Sequence, residues 1–331
     1  MDAASAATRA LWFQRARHAA LVDEPLPARP EGCSVIRAAF SAVSPGTERL
    51  VFAGEVPEAV RGDMRVPYMG GDFGFPLKYG YSLVGRVDSS SDAALVGRLV
   101  HVMHPHQERV LARDTDLFAV PEGIPAARAT LAANLETALN AVWDSGAAPG
   151  ARCLVVGFGV VGSLIARVLA ATPGTSVTVC DRDASKVALA RELGFPACVP
   201  GNGPGGFDVA FHASASGEGL QLCIDATGFE ATIVEVSWYG TREVSLRLGA
   251  SFHHQRKRIV SSQVSAVAAP MRARFSFARR KALVFELLRD AAFDGHITES
   301  VPFADLPAWF NGGGLDRPGL ARVVDYGPGA A

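Results

Sequence analysis

The hydrophobic rhythm of the chain changes twice along its length. Residues 8–125 carry short apolar runs, at 10–13, 34–39, 83–87 and 99–102, parted by Pro and Gly turns, which predicts a mostly β segment. A Gly/Pro-rich stretch at 53–79, containing Tyr68, Phe73 and Phe75, interrupts it as a long loop. Loops of that length are usually functional or mobile. Leu131, Leu135, Leu139 and Val142 then recur at helical spacing and predict a helix over 125–143. From 151 to about 262 the rhythm alternates. Apolar strands at 153–156, 176–180, 207–211, 231–238 and 258–262 are separated by helical patterns at 161–171, 184–193 and 217–226. Such alternation predicts a parallel sheet covered by helices. The tail is mixed, with a helix over 279–290 and strands over 297–303 and 319–326.

The strand–helix junction at 154–162 reads Leu-Val-Val-Gly-Phe-Gly-Val-Val-Gly and matches G-x-G-x-x-G. Gly157 permits the tight turn, Gly159 lets the backbone approach a pyrophosphate, and Gly162 lets the helix pack on the strand. The helix opens at Val160 and Val161, whose end of the chain offers free N–H groups to an anion. Phe158 lies inside the same turn. Past a second apolar run stands Asp181, placed to accept hydrogen bonds from ribose hydroxyls and to repel a 2′-phosphate. That favours NAD over NADP. Arg182 follows directly and is able to bind such a phosphate, so NADP stays open.

Composition narrows the function classes. Of 331 residues, 49% are hydrophobic and 20% charged, the profile of a globular protein with room for two domains. Thirty-two basic residues face thirty-three acidic ones, so net charge points to neither nucleic acid nor a membrane surface. Arg256-Lys257-Arg258 and Arg279-Arg280-Lys281 are expected on solvated faces, with one arginine able to bind an acidic substrate. The five cysteines are scattered without a C-x-x-C pair, which argues for a reducing compartment. No basic-then-apolar leader and no apolar run of about 20 residues appear, so a cytoplasmic location is expected.

A β-rich start, an alternating dinucleotide-type middle and a mixed return resemble the medium-chain dehydrogenase/reductase superfamily over nearly the whole chain. Ala10-Leu11-Trp12-Phe13 with Asp23-Glu24-Pro25-Leu26-Pro27 is similar to the family's opening, and residues 79–87, Tyr-Gly-Tyr-Ser-Leu-Val-Gly-Arg-Val, are similar to its G-H-E-x-x-G-x-V motif. Asp181 through Lys186 to Gly194 resembles its second Rossmann strand and the following helix. Residues 41–50, Ser-Ala-Val-Ser-Pro-Gly-Thr-Glu-Arg-Leu, resemble the S-G-I-S-x-G-T-E-x-L segment of the bacteriochlorophyllide a dehydrogenase-like subgroup. The resemblance implies a GroES-like catalytic domain (1–143), a Rossmann dinucleotide-binding domain with a doubly wound parallel sheet (144–264), and a C-terminal return that completes the first (265–331). It also implies a homodimer pairing through the last Rossmann strand, near residues 258–264. At the family's catalytic-zinc positions this chain carries Ser44, Tyr81 and Ala133, none a normal zinc ligand, and the four-cysteine structural-zinc lobe is absent. A zinc-independent protein is expected.

Without zinc, a side chain must handle the proton of an alcohol. Tyr81, at the histidine position, is able to do so or merely to fill the space. His101, His104 and His106 lie close together, with His104 and His106 expected on one face of a strand end and Gln107 beside them. His101 reads as a surface or capping histidine, whereas His106 is a proton-transfer candidate. Ser44, Thr47 and Glu48 line what reads as a Ser-Pro-Gly-Thr turn. The resemblance puts Thr137 beside a nicotinamide with Glu136 close by, although Glu136 equally fits an exposed helix carboxylate. It also puts Ser214, after the strand at 207–211, and Ser237 with Trp238, at the end of the next, along the cofactor path. The leading expectation is an NAD-dependent, zinc-independent oxidoreductase acting on a secondary alcohol or ketone of a small metabolite, with the aromatics of the 53–79 loop hinting at a bulky or planar one. Two alternatives stand beside it: an NADPH-dependent enoyl or quinone reductase, and a non-catalytic dinucleotide-binding protein. No nucleic acid and no membrane are expected as partners.

Overall fold

The computed structural model describes residues 7–327. The chain divides into two compact units. One runs to Ala133 and takes back Phe285–Arg317 and the chain from Ala321 onward. The other comprises Asn134–Val284 with Pro318–Leu320.

The first unit is β-rich. Strands β1 (Ala7–Arg15) and β2 (His18–Pro25) form a hairpin, followed by β3 (Cys33–Val43) and helix α1 (Pro45–Ala53). The 53–79 stretch contains two short strands, β4 (Gly70–Gly71) and β5 (Leu77–Lys78), which join the hairpin in the order β2-β1-β5-β4. Strands β6 (Leu83–Ser90), β7 (Leu99–Val102), β8 (Arg109–Arg113) and β9 (Phe118–Ala119) come next. A second sheet runs β16-β17-β3-β6-β7-β9 with β8 also on β3; β16 is Ile297–Pro302 and β17 is Ala321–Asp325. The C-terminal return therefore completes this sheet by pairing β17 antiparallel to β3. Ile36, Ala38, Leu83, Val87, Val100, Val102, Val110 and Ala112 form its core.

Several local expectations change here. Ser-Pro-Gly-Thr is not a free-standing β-turn but the start of α1, with Ser44 as N-cap and Pro45 at the first helical position, where a missing N–H costs nothing. Helix α1 is held by Phe52, whose ring packs on Phe13 and Phe310 at centroid distances of 5.0 and 5.3 Å. Phe310 comes from helix α9 (Leu306–Asn311). The helix expected over 125–143 breaks into α2 (Ala126–Ala129) and α3 (Ala132–Ser145). Of the three aromatics expected to line the 53–79 loop, Phe73 is buried in the core, whereas Tyr68 and Phe75 are half-buried.

The second unit carries a six-stranded, wholly parallel sheet in the order β12-β11-β10-β13-β14-β15. Its strands are β10 (Arg152–Val156), β11 (Ser176–Cys180), β12 (Ala197–Cys198), β13 (Phe207–His212), β14 (Thr227–Glu235) and β15 (Arg258–Ser261). Helices α4 (Val160–Ala170), α5 (Ala184–Glu192), α6 (Gly217–Ala226) and α7 (Ser251–His254) connect them, and α8 (Phe277–Leu287) follows. The order reverses between β10 and β13, the switch point where open α/β sheets bind ligands beyond their carboxyl ends. Strand β14 starts at Thr227 and ends at Glu235, so Trp238 lies beyond the strand, half-buried, rather than within it. Among the described residues no helix is long and apolar enough to cross a membrane.

The basic clusters also differ from expectation. Lys257 is buried, with its ammonium donating to the carbonyls of Ile224 and Thr227 and to Ser251 Oγ. Arg280 and Lys281 are buried against Glu136. Glu136 is thus the shared counter-ion of two buried cations, not an exposed helix carboxylate. Arg280 also donates to Asn140 Oδ1 at 3.1 Å and to the Val264 carbonyl at 2.8 Å.

Candidate functional site

The second unit builds a dinucleotide-type cradle from three glycines. Gly157 has φ +97°, a left-handed conformation, and a Cβ there would lie 2.6 Å from the Ser214 nitrogen. A Cβ at Gly162 would lie 2.0 Å from the Gly157 carbonyl oxygen, so α4 can seat on the β10 turn only without one. Gly159 is the N-cap of α4, and a Cβ there meets nothing within 4 Å. The turn is therefore packed tightly on two sides and open where a pyrophosphate would approach the first N–H groups of α4, among Val160 and Val161. These residues fit a dinucleotide.

Asp181, at the end of β11, is buried. Its carboxylate accepts the Phe158 N–H at 2.7 Å and the Asp183 N–H at 2.9 Å. The first bond ties the acid to the glycine turn and fixes its position there. Asp183 caps α5 through Ser185. Arg182 is exposed and Lys186 half-buried. Thr137, on α3, is half-buried.

Beyond the carboxyl ends of β13 and β14 lies a polar network that the sequence pattern did not announce. His212 is fully buried. Its Nδ1 lies 2.8 Å from Glu235 Oε2, and its Nε2 lies 2.7 Å from Ser214 Oγ. Glu235 also accepts the Ser237 N–H at 2.7 Å and the Tyr239 hydroxyl at 2.9 Å. Ser237 Oγ accepts the Ala215 N–H at 3.0 Å. Ser214 and Ser237 thus belong to one network organised by His212, Glu235 and Tyr239. Strand register is the only sequence signal for it: His212 pairs with Glu235 across β13 and β14.

The first unit collects a second group of polar side chains around α1. Glu48 is fully buried, and its carboxylate accepts the Ser44 N–H at 2.7 Å across the first turn of the helix. Its other oxygen lies 3.1 Å from His106 Nε2, and His106 Nδ1 lies 2.7 Å from Ser41 Oγ. Ser41 Oγ in turn lies 3.0 Å from the Tyr326 hydroxyl. The network assigns the tautomer: His106 donates through Nε2 to the carboxylate and accepts at Nδ1 from Ser41, which accepts from Tyr326. His106 is fully buried with both ring nitrogens engaged, so it anchors Glu48 rather than facing a ligand.

Tyr81 is hydrogen-bonded to the side chains of Ser44 and Thr47. Burial pushes its phenol up to about 12, against the opposing effect of those two bonds and with a further push from the Glu48 charge. It is a neutral hydroxyl at ordinary pH, able to donate and unable to act as a resting base. Tyr79 packs edge-on against it, at a ring distance of 6.1 Å and an interplanar angle of 87°.

Three histidines depart from expectation. His104 and His106 lie after β7, which ends at Val102, and so do not share a strand face. His104 is buried, stacks on Tyr68 at 5.1 Å and places Nδ1 2.9 Å from the Pro105 carbonyl. His101 is fully buried, not at the surface; its Nε2 lies 3.1 Å from Ser82 Oγ.

The resemblance drawn from the sequence raises the question of a metal at Ser44, Tyr81 and Ala133. Ser44 and Tyr81 offer hydroxyls already bonded to one another, and Ala133 offers a methyl group. That donor set does not fit zinc, which takes thiolate, imidazole or carboxylate. Among the described residues no three His, Cys, Asp or Glu side chains come together as a metal-binding group.

No protein-family model matches the chain, and no curated protein matches it. Solved structures do. The chain is similar to 2R,3R-butanediol dehydrogenase from Bacillus subtilis, at 17% identity and a TM-score of 0.77 over 97% of this chain and 100% of that one. It is similar to L-idonate 5-dehydrogenase from Escherichia coli K-12, at 14% identity and a TM-score of 0.78 over 97% and 99%. It is also similar to acetophenone reductase from Geotrichum candidum in complex with NAD, at 16% identity and a TM-score of 0.76 over 96% and 97%. At these identities the likeness establishes the fold alone: a β-rich unit and a doubly wound parallel-sheet unit.

Proposed function

We propose that this protein is a nicotinamide-dependent oxidoreductase that interconverts a secondary alcohol and its ketone without zinc. The observation that carries the reading is the Gly157–Gly162 turn, open at Gly159 and tied to Asp181 through the Phe158 N–H. Nicotinamide, when bound, supplies a hydride acceptor or donor. The chain supplies the rest. Gly159 and the first turn of α4 receive the pyrophosphate, and Asp181 favours NAD by repelling a 2′-phosphate that Arg182 alone would have to offset. Thr137, Lys186, Ser237 and Trp238 are further cofactor contacts in this reading.

Tyr81 handles the proton. As a neutral phenol held by Ser44 and Thr47, it is suited to donate to a carbonyl oxygen as that oxygen gains charge during reduction. In the reverse direction the alcohol proton passes to the phenolate form of Tyr81 as the carbonyl forms, which returns the phenol to its neutral state. Glu48 and His106 hold α1 and hence Thr47 in place. The substrate is a small alcohol or ketone, the protein acts in the cytoplasm, and it neither binds nucleic acid nor enters a membrane.

The test is binding and turnover on one metal-analysed preparation. NADH is expected to bind about tenfold or more tighter than NADPH, which corresponds to about 1.4 kcal/mol. A panel of secondary alcohols and ketones is expected to give turnover in protein that contains no stoichiometric zinc. Tyr81→Phe should lower kcat by about 10²–10⁴-fold with NADH affinity unchanged. Stoichiometric zinc required for turnover, or undiminished kcat in Tyr81→Phe, would overturn the assignment.

A further inference from the structure

We propose that Ser214, His212 and Glu235 form a serine–histidine–carboxylate triad that makes Ser214 acylatable, giving the second unit a hydrolytic activity toward small carboxylic esters. The proposal is independent of the alcohol–ketone reading, because it concerns these three side chains alone.

The hydrogen-bond directions are determined by elimination. Glu235 accepts the Ser237 N–H and the Tyr239 hydroxyl, so its carboxylate serves as an acceptor. His212 Nδ1, 2.8 Å away, is then the donor. With Nδ1 as the donor, the tautomer that completes the network has Nε2, 2.7 Å from Ser214 Oγ, accepting from the serine hydroxyl. This is the arrangement in which an imidazole withdraws the proton from a nucleophilic serine while a carboxylate fixes the tautomer.

Two further features shape the site around that hydroxyl. A Cβ at Gly219 would lie 2.1 Å from Ser214 Oγ and 2.9 Å from His212 Nε2, so glycine is needed for the serine and histidine to meet. Ala215, the next residue, holds φ +50°, a left-handed conformation unusual for a side chain with a Cβ. The bend turns the chain directly from Ser214 into α6. Ser216 caps that helix by accepting the Gly219 N–H at 3.1 Å, and its hydroxyl lies 3.0 Å from Ser214 Oγ. Gly217 and Glu218 open the helix, where N–H groups have no intrahelical acceptor and are suited to an oxyanion.

The chemistry balances without a redox partner. Ser214 Oγ attacks the ester carbonyl carbon, and its proton passes to His212 Nε2. The tetrahedral intermediate collapses, the carbon–alkoxide bond breaks, and His212 returns the proton to the leaving alcohol. Water then attacks the acyl-serine, again giving its proton to His212, and the carboxylic acid leaves as Ser214 regains its hydrogen. Glu235 acts through His212 as a positioning residue.

The experiment treats the purified full-length protein with a fluorophosphonate and, separately, with p-nitrophenyl acetate. One covalent adduct mapping to Ser214 by peptide mass is expected. Ester hydrolysis should fall on the order of a thousandfold in Ser214→Ala. Glu235→Gln should slow acylation on the order of a hundredfold or more, and Glu235→Asp should recover part of the loss, a rescue that a purely structural role would not produce. Labelling of wild-type protein needs no variant to fold. No adduct, or an adduct on Ser216 or elsewhere, overturns the proposal, as does full ester hydrolysis in folded Ser214→Ala.

Discussion

His104 illustrates how a single residue couples structure to solution conditions. Burial holds its imidazole down to about 3, with the Lys78 and His106 charges adding to that effect and the Pro105 carbonyl opposing it. In the unfolded chain the same ring protonates near its ordinary value of about 6.5. Between those values the unfolded state binds a proton that the folded state refuses, so stability is present above about 6.5 and drains away as pH falls toward 3. The slope is about 1.4 kcal/mol per pH unit from this group. Urea titrations of wild type and His104→Gln across pH 3–7 should differ in slope by that amount, and parallel curves would refute the buried neutral imidazole. Tyr81 shows the opposite case: burial raises it, so the site keeps an acid in its protonated form. The sequence marked Tyr81 as a candidate through the resemblance of residues 79–87 to a family motif. Its partners were not marked, because Ser44 and Thr47 read there as a turn and become neighbours of the phenol only once Pro45 starts a helix.

At the scale of elements, α3 and α8 are joined by a buried charge cluster. Glu136 on α3 faces Arg280 and Lys281 on α8, and Asn140 bridges Arg280 to the Ala268 N–H. Burial lowers the Lys281 ammonium, opposed by the Glu136 charge. Removing the anion strands two buried cations. Glu136→Gln should therefore cost about 3–5 kcal/mol in urea denaturation, and a second change, Lys281→Met, should recover part of it. A loss below about 1 kcal/mol would mean that the cluster is solvated. Three consecutive basic residues gave no hint of this, since a run of charges in sequence reads as a solvated face. Strand positions fared better. The runs at 99–102, 176–180 and 217–226 appear as the same elements in the structure, because apolar periodicity and Gly/Pro breaks act locally. Helix α1 escaped because its signal, Ser-Pro-Gly-Thr, serves a turn and a helix start equally well.

For the whole molecule, among the described residues the six-stranded sheet leaves β15 at an edge, paired to β14 alone. An unprotected edge is an aggregation hazard, and pairing with a second copy across a two-fold axis would cover it. The Ser262 N–H donates to the Glu235 backbone carbonyl, so by the two-residue repeat of a strand the Ser261 N–H points outward. Sedimentation is expected to give a dimer for the wild type and a monomer for Ser261→Pro, which removes that donor. A wild-type monomer at micromolar concentration would exclude this mode of assembly.

The sequence by itself determined the alternating β and α units, the glycine turn from Gly157 to Gly162 and the acid at Asp181. Each is written in adjacent residues or fixed spacings, where backbone sterics and hydrophobic periodicity act. Only the tertiary structure decided which polar groups meet. Ser41, Glu48, His106 and Tyr326 come from four separate segments, and His212 finds Glu235 only through the register of β13 on β14. Burial then settles what those groups can do, because a side chain's desolvation and its partners depend on neighbours distant in the chain.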